Sequence, residues 1–217
     1  MAEMINEFEY SNLLRVRDEL VDGVGPWVWI AEDTGAWDGP KHDWETSHKV
    51  GIQDLVTDWS ACIQAGGNQG MYPRVLANMF QHVYTFEPDP LNFHCLAANC
   101  QLDNIYKVNA ALGAESGLIR VNRGSLSNAG THTVTANGEC HVPMFTIDSL
   151  KLPTCGLFQL DLEGYEIHAL RGAEETIKRC KPVIQCENGN NEILEFLQQF
   201  GYQAVATSKA DTFYKVV

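Results

Sequence analysis

The chain has 217 residues, 45% hydrophobic and 20% charged, a composition that suits one globular domain with a substantial core. Its formal net charge of −13 argues against a broad nucleic-acid-binding face, since that affinity comes largely from Lys and Arg displacing counterions. There is no apolar run of membrane-spanning length, no basic-then-apolar leader in MAEMINEFEY, and no C-x-x-C pair among seven cysteines, so a cytoplasmic protein with free thiols and no membrane association is expected.

In chain order, Asn12–Leu20 reads as a short helix, and WVWI after it as an edge strand. A Trp-, Gly-, Asp- and His-rich segment follows, with poor periodicity. Residues 1–50 are therefore expected to be an N-terminal extension or lid on a core formed by residues 51–217. Gly51–Asp58 reads as helix and Ala61–Ala65 as a buried strand. Pro73–Phe80 reads as helix, with proline acceptable in the first turn. Val83–Phe86 is expected as strand, Leu91–Leu102 as helix and Lys107–Leu112 as strand. Leu118–Asn122, Thr131–Thr135 and His141–Phe145 read as extended, around a Gly/Ser/Asn-rich loop at 123–130. Leu157–Leu160 and Val183–Cys186 read as buried strands, His168–Arg179 and Asn191–Phe200 as helices, and Tyr202–Thr207 and Thr212–Val216 as closing strands. This strand–helix alternation predicts an α/β fold with a mostly parallel sheet covered on both faces, whose ligand sits at the carboxyl ends of the strands.

Two motifs fall at such ends. The loop 64-QAGGNQG-70 follows the first buried strand. It lacks the Gly-Lys-Ser/Thr of a phosphate loop, and Ala65 stands where a dinucleotide fingerprint has its first glycine. The next strand ends in 83-VYTFEPDP-90, placing Glu87 twenty-one residues after Gly66, where an acid can accept hydrogen bonds from both hydroxyls of a ribose. Together they indicate an adenosine-ribose site and leave NAD and S-adenosylmethionine both open. The third motif, 159-QLDLEGYE-166, brings Asp161, Glu163 and Glu166 to another strand end. Such acids offset a sulfonium and an ammonium, which favours S-adenosylmethionine over a nicotinamide cofactor.

From about residue 60 to 202 the chain resembles the FkbM-type methyltransferases. The resemblance is carried by 64-QAGGNQG-70, 84-YTFEPDPLNFHCLAANCQLDN-104, 109-NAALG-113, 146-TIDSL-150, 159-QLDLEGYE-166, 170-LRGA-173 and 182-PVIQCE-187. It implies a Rossmann-like class I methyltransferase fold, with a mostly parallel seven-stranded sheet and an antiparallel C-terminal strand. It further implies that Gly66, Gly67, Asn68 and Gly70 line the methionine and ribose side of S-adenosylmethionine, that Glu87 holds the ribose, and that Pro88 and Asp89 lie beside the adenine. Ala110 and Ala111 would flank that ring, and Asp161 would sit near the methionine end. Gln64 stands where the family has an acid, and its amide oxygen is the remaining acceptor for the cofactor's ammonium.

The resemblance implies O-methylation of a small molecule or a carbohydrate. Candidate bases are Glu163, His132, His168 and Glu187. The spacing of Asp161 and Glu187-Asn188 also resembles the oxygen-donor set by which catechol-type methyltransferases hold magnesium. Trp37, His42, Trp44 and His48 are candidates to face a sugar. A non-catalytic module that binds S-adenosylmethionine is the alternative reading, and a nicotinamide-dependent oxidoreductase is a more distant one.

Overall fold

The computed structural model describes residues 13–18, 25–34, 50–123, 126–135, 137–138, 140–208 and 211–217. Its first element is a hairpin, β1 (Leu14–Arg17) and β2 (Trp27–Ile30), paired antiparallel with Leu14 opposite Ile30. This corrects the helix expected over 12–20. Leu-Arg-Val-Arg alternates apolar and charged residues with the period of a strand, and pairing with Trp-Val-Trp-Ile satisfies its backbone. Trp27 and Trp29 pack on Met71, Tyr72 and Val75. The segment carrying Trp37, His42, Trp44 and His48 lies outside the described residues.

The core sheet has seven strands: β3 (Ala61–Ala65), β4 (His82–Phe86), β5 (Ile105–Val108), β10 (Leu157–Leu160), β11 (Val183–Glu187), β12 (Tyr202–Ser208) and β13 (Asp211–Val216). Their order is β12-β13-β11-β10-β3-β4-β5, and only β13 opposes its neighbours. Strands β3 and β10 are buried along their whole length, as sheets covered on both faces require. Alternation sends Ile63, Ala65, Phe86, Phe158 and Leu160 to one side. There they meet α4 (Glu166–Arg171), α5 (Glu174–Cys180) and α6 (Asn191–Gln198). Cys62, Val83, Leu157 and Val183 face α1 (Val50–Leu55), α2 (Met71–Leu76) and α3 (Pro90–Asn99).

Two expected elements are divided. The strand expected over 107–112 stops at Val108, where Asn109 turns back to donate to the main-chain oxygens of Glu87 (2.8 Å) and Pro88 (3.0 Å). The chain then enters β6 (Ala111–Leu112), which joins β7 (Gly117–Asn122), β8 (Thr133–Thr135) and β9 (Cys140–Phe145) in a second, four-stranded sheet that the alternation did not foretell. The helix expected over 168–179 is α4 and α5, parted at Gly172. A Cβ there would lie 2.0 Å from the Gly113 carbonyl, so the helix pair docks on β6 only through a glycine. No described helix is long and apolar enough to cross a membrane.

Candidate functional site

Register makes the site. Thr85, Gln64, Gln159 and Gln185 lie abreast on four adjacent parallel strands, each within the buried sheet. Two residues further along each chain come Glu87, Gly66, Asp161 and Glu187. A period of two keeps them on the same face, with Glu87, Gly66 and Asp161 one step beyond their strands and Glu187 the last residue of β11. There they open into a crevice of about 960 Å³, counting the space open to solvent. Asn68, Tyr72, Pro88, Asn92, Leu162 and Glu163 also line it, and residues 128–132 with Val134 form its roof.

At one end, Glu87 is almost fully buried, and each carboxylate oxygen takes one main-chain N–H, from Asn68 (2.6 Å) and from Asp89 (2.7 Å). Burial pushes its pKa up to about 8, although those two hydrogen bonds and a weaker one from the Asn92 side chain pull it down. Each oxygen still has a lone-pair direction free for a ligand hydroxyl. The turn between strand and ligand is made by Gly66, at φ 81°, where a Cβ would lie 1.8 Å from the Asp161 carbonyl. No other residue lets β3 and β10 end this close together.

At the other end, one carboxylate oxygen each from Asp161, Glu163 and Glu187 lies within 4.8 Å of the other two. Burial first, then the charges of Glu187 and Glu163, raises Asp161 well above the usual carboxylate range. Glu163, in a left-handed turn with Gly164, is raised to about 7 by burial and by Glu187 and Glu166. Tyr72 sits over this cluster, and its hydroxyl is raised by burial and by Asp161, Asp211 and Glu187.

Several expected site residues lie elsewhere. Gln64 is turned into the sheet, donating to the Gly66 carbonyl at 3.0 Å and accepting from Thr85 Oγ1 at 2.5 Å, so its amide does not reach the crevice. Gly67 gives room for Leu96 and Thr85, and Gly70 starts α2 at φ 95°. Asp89 caps α3 through Leu91 N and Asn92 N, bonds Arg123 Nε at 2.6 Å, and stands 3.6 Å from His132 Nδ1. Ala110 and Ala111 line a small apolar recess beside the crevice, with Phe86, Leu162 and Tyr165. Glu166 braces its own turn by accepting from Leu162 N at 2.8 Å. His168 stacks on Tyr165, and neither it nor Asn188 lines the crevice. Glu87, Asp161, Glu163, Glu187 and His132 do meet there. Asp33, Asn92 and Tyr72 were missed. Tyr72 could have been found from its place two residues after Gly70, whereas Asp33 arrives only by packing of the hairpin.

The match of residues 64–204 to the Methyltransferase FkbM domain model covers both ends of this crevice. The chain belongs to the FkbM methyltransferase family. Over 125 residues it is 25% identical to the hexuronic acid methyltransferase AglP of Haloferax volcanii, an alignment spanning 55% of this chain and 52% of that one. The chain thus spans about half the length of this curated relative. Among solved structures, it resembles the FkbM methyltransferase of Methylobacillus flagellatus KT, with a TM-score of 0.49 and 16% identity over 71% of this chain and 42% of that one. The precorrin-6y C5,15-methyltransferase of Geobacter metallireducens GS-15 gives 0.45 and 12% over 76% and 85%.

Proposed function

We propose that this FkbM methyltransferase uses S-adenosylmethionine to methylate a hydroxyl of a small molecule or a carbohydrate. The observation that carries the reading is Glu87. A buried carboxylate at the tip of the second parallel strand, held by the main-chain N–H groups of Asn68 and Asp89 with the Asn92 side chain beside it, is suited to a vicinal diol. Gly66 and Asn68 border the same space, and the apolar recess by Ala110 and Ala111 suits a purine edge. Asp161 faces the end where a cationic amino-acid group would lie. The cofactor supplies a methyl carbon on a sulfonium, and the protein's task is to align the acceptor oxygen behind it. Glu163, at the exposed rim of the crevice with a pKa of about 7, is placed to take the acceptor's proton at neutral pH. His132, on the roof beside Asp89, and Glu187 are the other groups within the crevice able to hold that proton.

The carbohydrate part of the reading is supported by the name of the Haloferax relative. Magnesium is a finer point. Asp161, Glu163 and Glu187 offer three oxygens, with Glu163 in the part expected of Asn188. Equal initial rates in EDTA would remove the metal from the scheme. The cytoplasmic setting is part of the proposal and fits seven free thiols.

Calorimetric titration with S-adenosylhomocysteine, with NAD in parallel, tests the reading. Micromolar binding of the first alone supports it. Binding of NAD alone overturns it, and binding of neither moves the non-catalytic alternative forward.

A further inference from the structure

The N-terminal hairpin is stitched to the loop that opens the crevice. Asn99 of α3 accepts from Val28 N at 2.6 Å and donates to the carbonyls of Val28 (2.8 Å) and Gln69 (2.5 Å). Gln69 accepts from Ile30 N at 2.7 Å, and its amide nitrogen donates to Asp33 Oδ2 at 2.6 Å. The other Asp33 oxygen accepts from Ala129 N at 3.4 Å. Ala129 belongs to the 3-10 turn Leu126–Thr131, the roof of the crevice, and its carbonyl accepts from Asn92 at 3.0 Å. A second strand of the stitching runs from Thr34 N to the Ser127 carbonyl at 3.1 Å. Asp33 therefore stands between two walls of one cavity. On one side is the loop holding Asn68, on the other the roof that leads into His132. It is 5% exposed, so both its bonds form away from bulk water, where each is stronger.

We propose that Asp33 is a positioning residue that clasps the roof at residues 126–132 to the glycine loop, so that the hairpin and the crevice ligand order one another. Asn68 gives its N–H to Glu87, so a ligand held by Glu87 fixes the loop to which Gln69 belongs. Through Gln69 and Asp33 the same ligand fixes the roof, and an ordered roof in turn slows the ligand's escape. By linkage the tightening is reciprocal. Only the identity of the crevice ligand rests on the cofactor reading; the clasp itself is a property of the free protein.

The test is hydrogen–deuterium exchange on the full chain, in wild type, Asp33→Ala and Asp33→Asn, with and without S-adenosylhomocysteine. In the free protein, Asp33→Ala is expected to speed exchange across 126–132 and 27–30 while leaving α5 unchanged. In the complex it is expected to speed ligand release by about tenfold, the effect of losing one well-made charge-assisted bond. Asp33→Asn keeps one acceptor but turns an N–H2 toward either Gln69 or Ala129, so it falls between the two. Wild-type exchange over 126–132 in a folded Asp33→Ala protein overturns the clasp, as does loosening spread evenly over the chain. If Asp33→Ala does not fold, the same comparison in Asp33→Asn decides. If the wild type does not bind S-adenosylhomocysteine, the cofactor reading fails, and exchange in the free proteins still decides the clasp.

Discussion

Glu87 is held by two short hydrogen bonds and yet has a pKa of about 8, because burial costs its charge more than Asn68 and Asp89 return. The free protein therefore keeps it protonated at neutral pH. In an unfolded chain it would ionise near an ordinary glutamate value. Its contribution to stability thus falls as pH rises from that value toward about 8, and is constant above. A ribose diol reverses the preference, since two hydroxyls donating to the carboxylate favour its charged form. Binding of S-adenosylhomocysteine at pH 7 should therefore release a proton, and affinity should rise with pH by up to about tenfold per unit below pH 8. Calorimetry in buffers of different ionisation enthalpy measures this directly, and equal heats in phosphate and Tris would contradict it. Glu87→Gln should end the proton release and weaken binding by about 1–3 kcal/mol.

Among the elements, what was legible in the sequence was whatever depends on local pattern. Ala61–Ala65 and Leu157–Leu160 are short apolar runs closed by glycine or acid, and they fold as the buried central strands. Glu87 and Asp161 could be placed for the same reason, because each follows such a run. Leu14–Arg17 was not legible, since its strand form depends on pairing with Trp27–Ile30, further along the chain. The break at Gly172 was equally hidden: it answers to the carbonyl of Gly113, which follows β6 and lies fifty-nine residues earlier. The helix start that follows shows the same logic. Helix α5 has no side-chain cap of its own, and Asp148 supplies one, accepting from Glu175 N (3.0 Å), Thr176 N (2.8 Å) and Thr176 Oγ1 (2.7 Å). Asp148→Ala should cost about 1–2 kcal/mol and lower the melting temperature by roughly 3–8 °C. Unchanged thermal unfolding would show that water replaces the cap without loss.

Across the whole molecule, burial and charge set what can react and what can enter. Cys62, Cys95, Cys100, Cys155 and Cys186 are buried, and burial raises each thiol, to about 12 for Cys95, Cys100 and Cys155. Only Cys140 and Cys180 are half-exposed, so Ellman's reagent should find two thiols quickly in the native protein and seven in denaturant. Rapid modification of a third would show that the core opens on that timescale. Charge acts on the acceptor. Asp33, Glu87, Asp161, Glu163 and Glu187 line the crevice, and among the described lining residues there is no Lys or Arg. An acceptor bearing its own carboxylate enters against those of these acids that are ionised, Glu87 and Asp161 being held toward their neutral forms in the free protein. At about 6 Å and an effective dielectric near 20, each ionised pair opposes entry by on the order of 3 kcal/mol. Glu163 ionises near pH 7, so the repulsion grows as pH rises through that value. For the carbohydrate acceptor proposed above, these carboxylates favour a neutral sugar over a uronate. Initial rates of labelled methyl transfer to matched hexosides and hexuronosides should favour the hexoside, by a ratio that widens from pH 6 to pH 8. A faster uronate, or a ratio indifferent to pH, would mean that a cation neutralises these acids before the acceptor arrives.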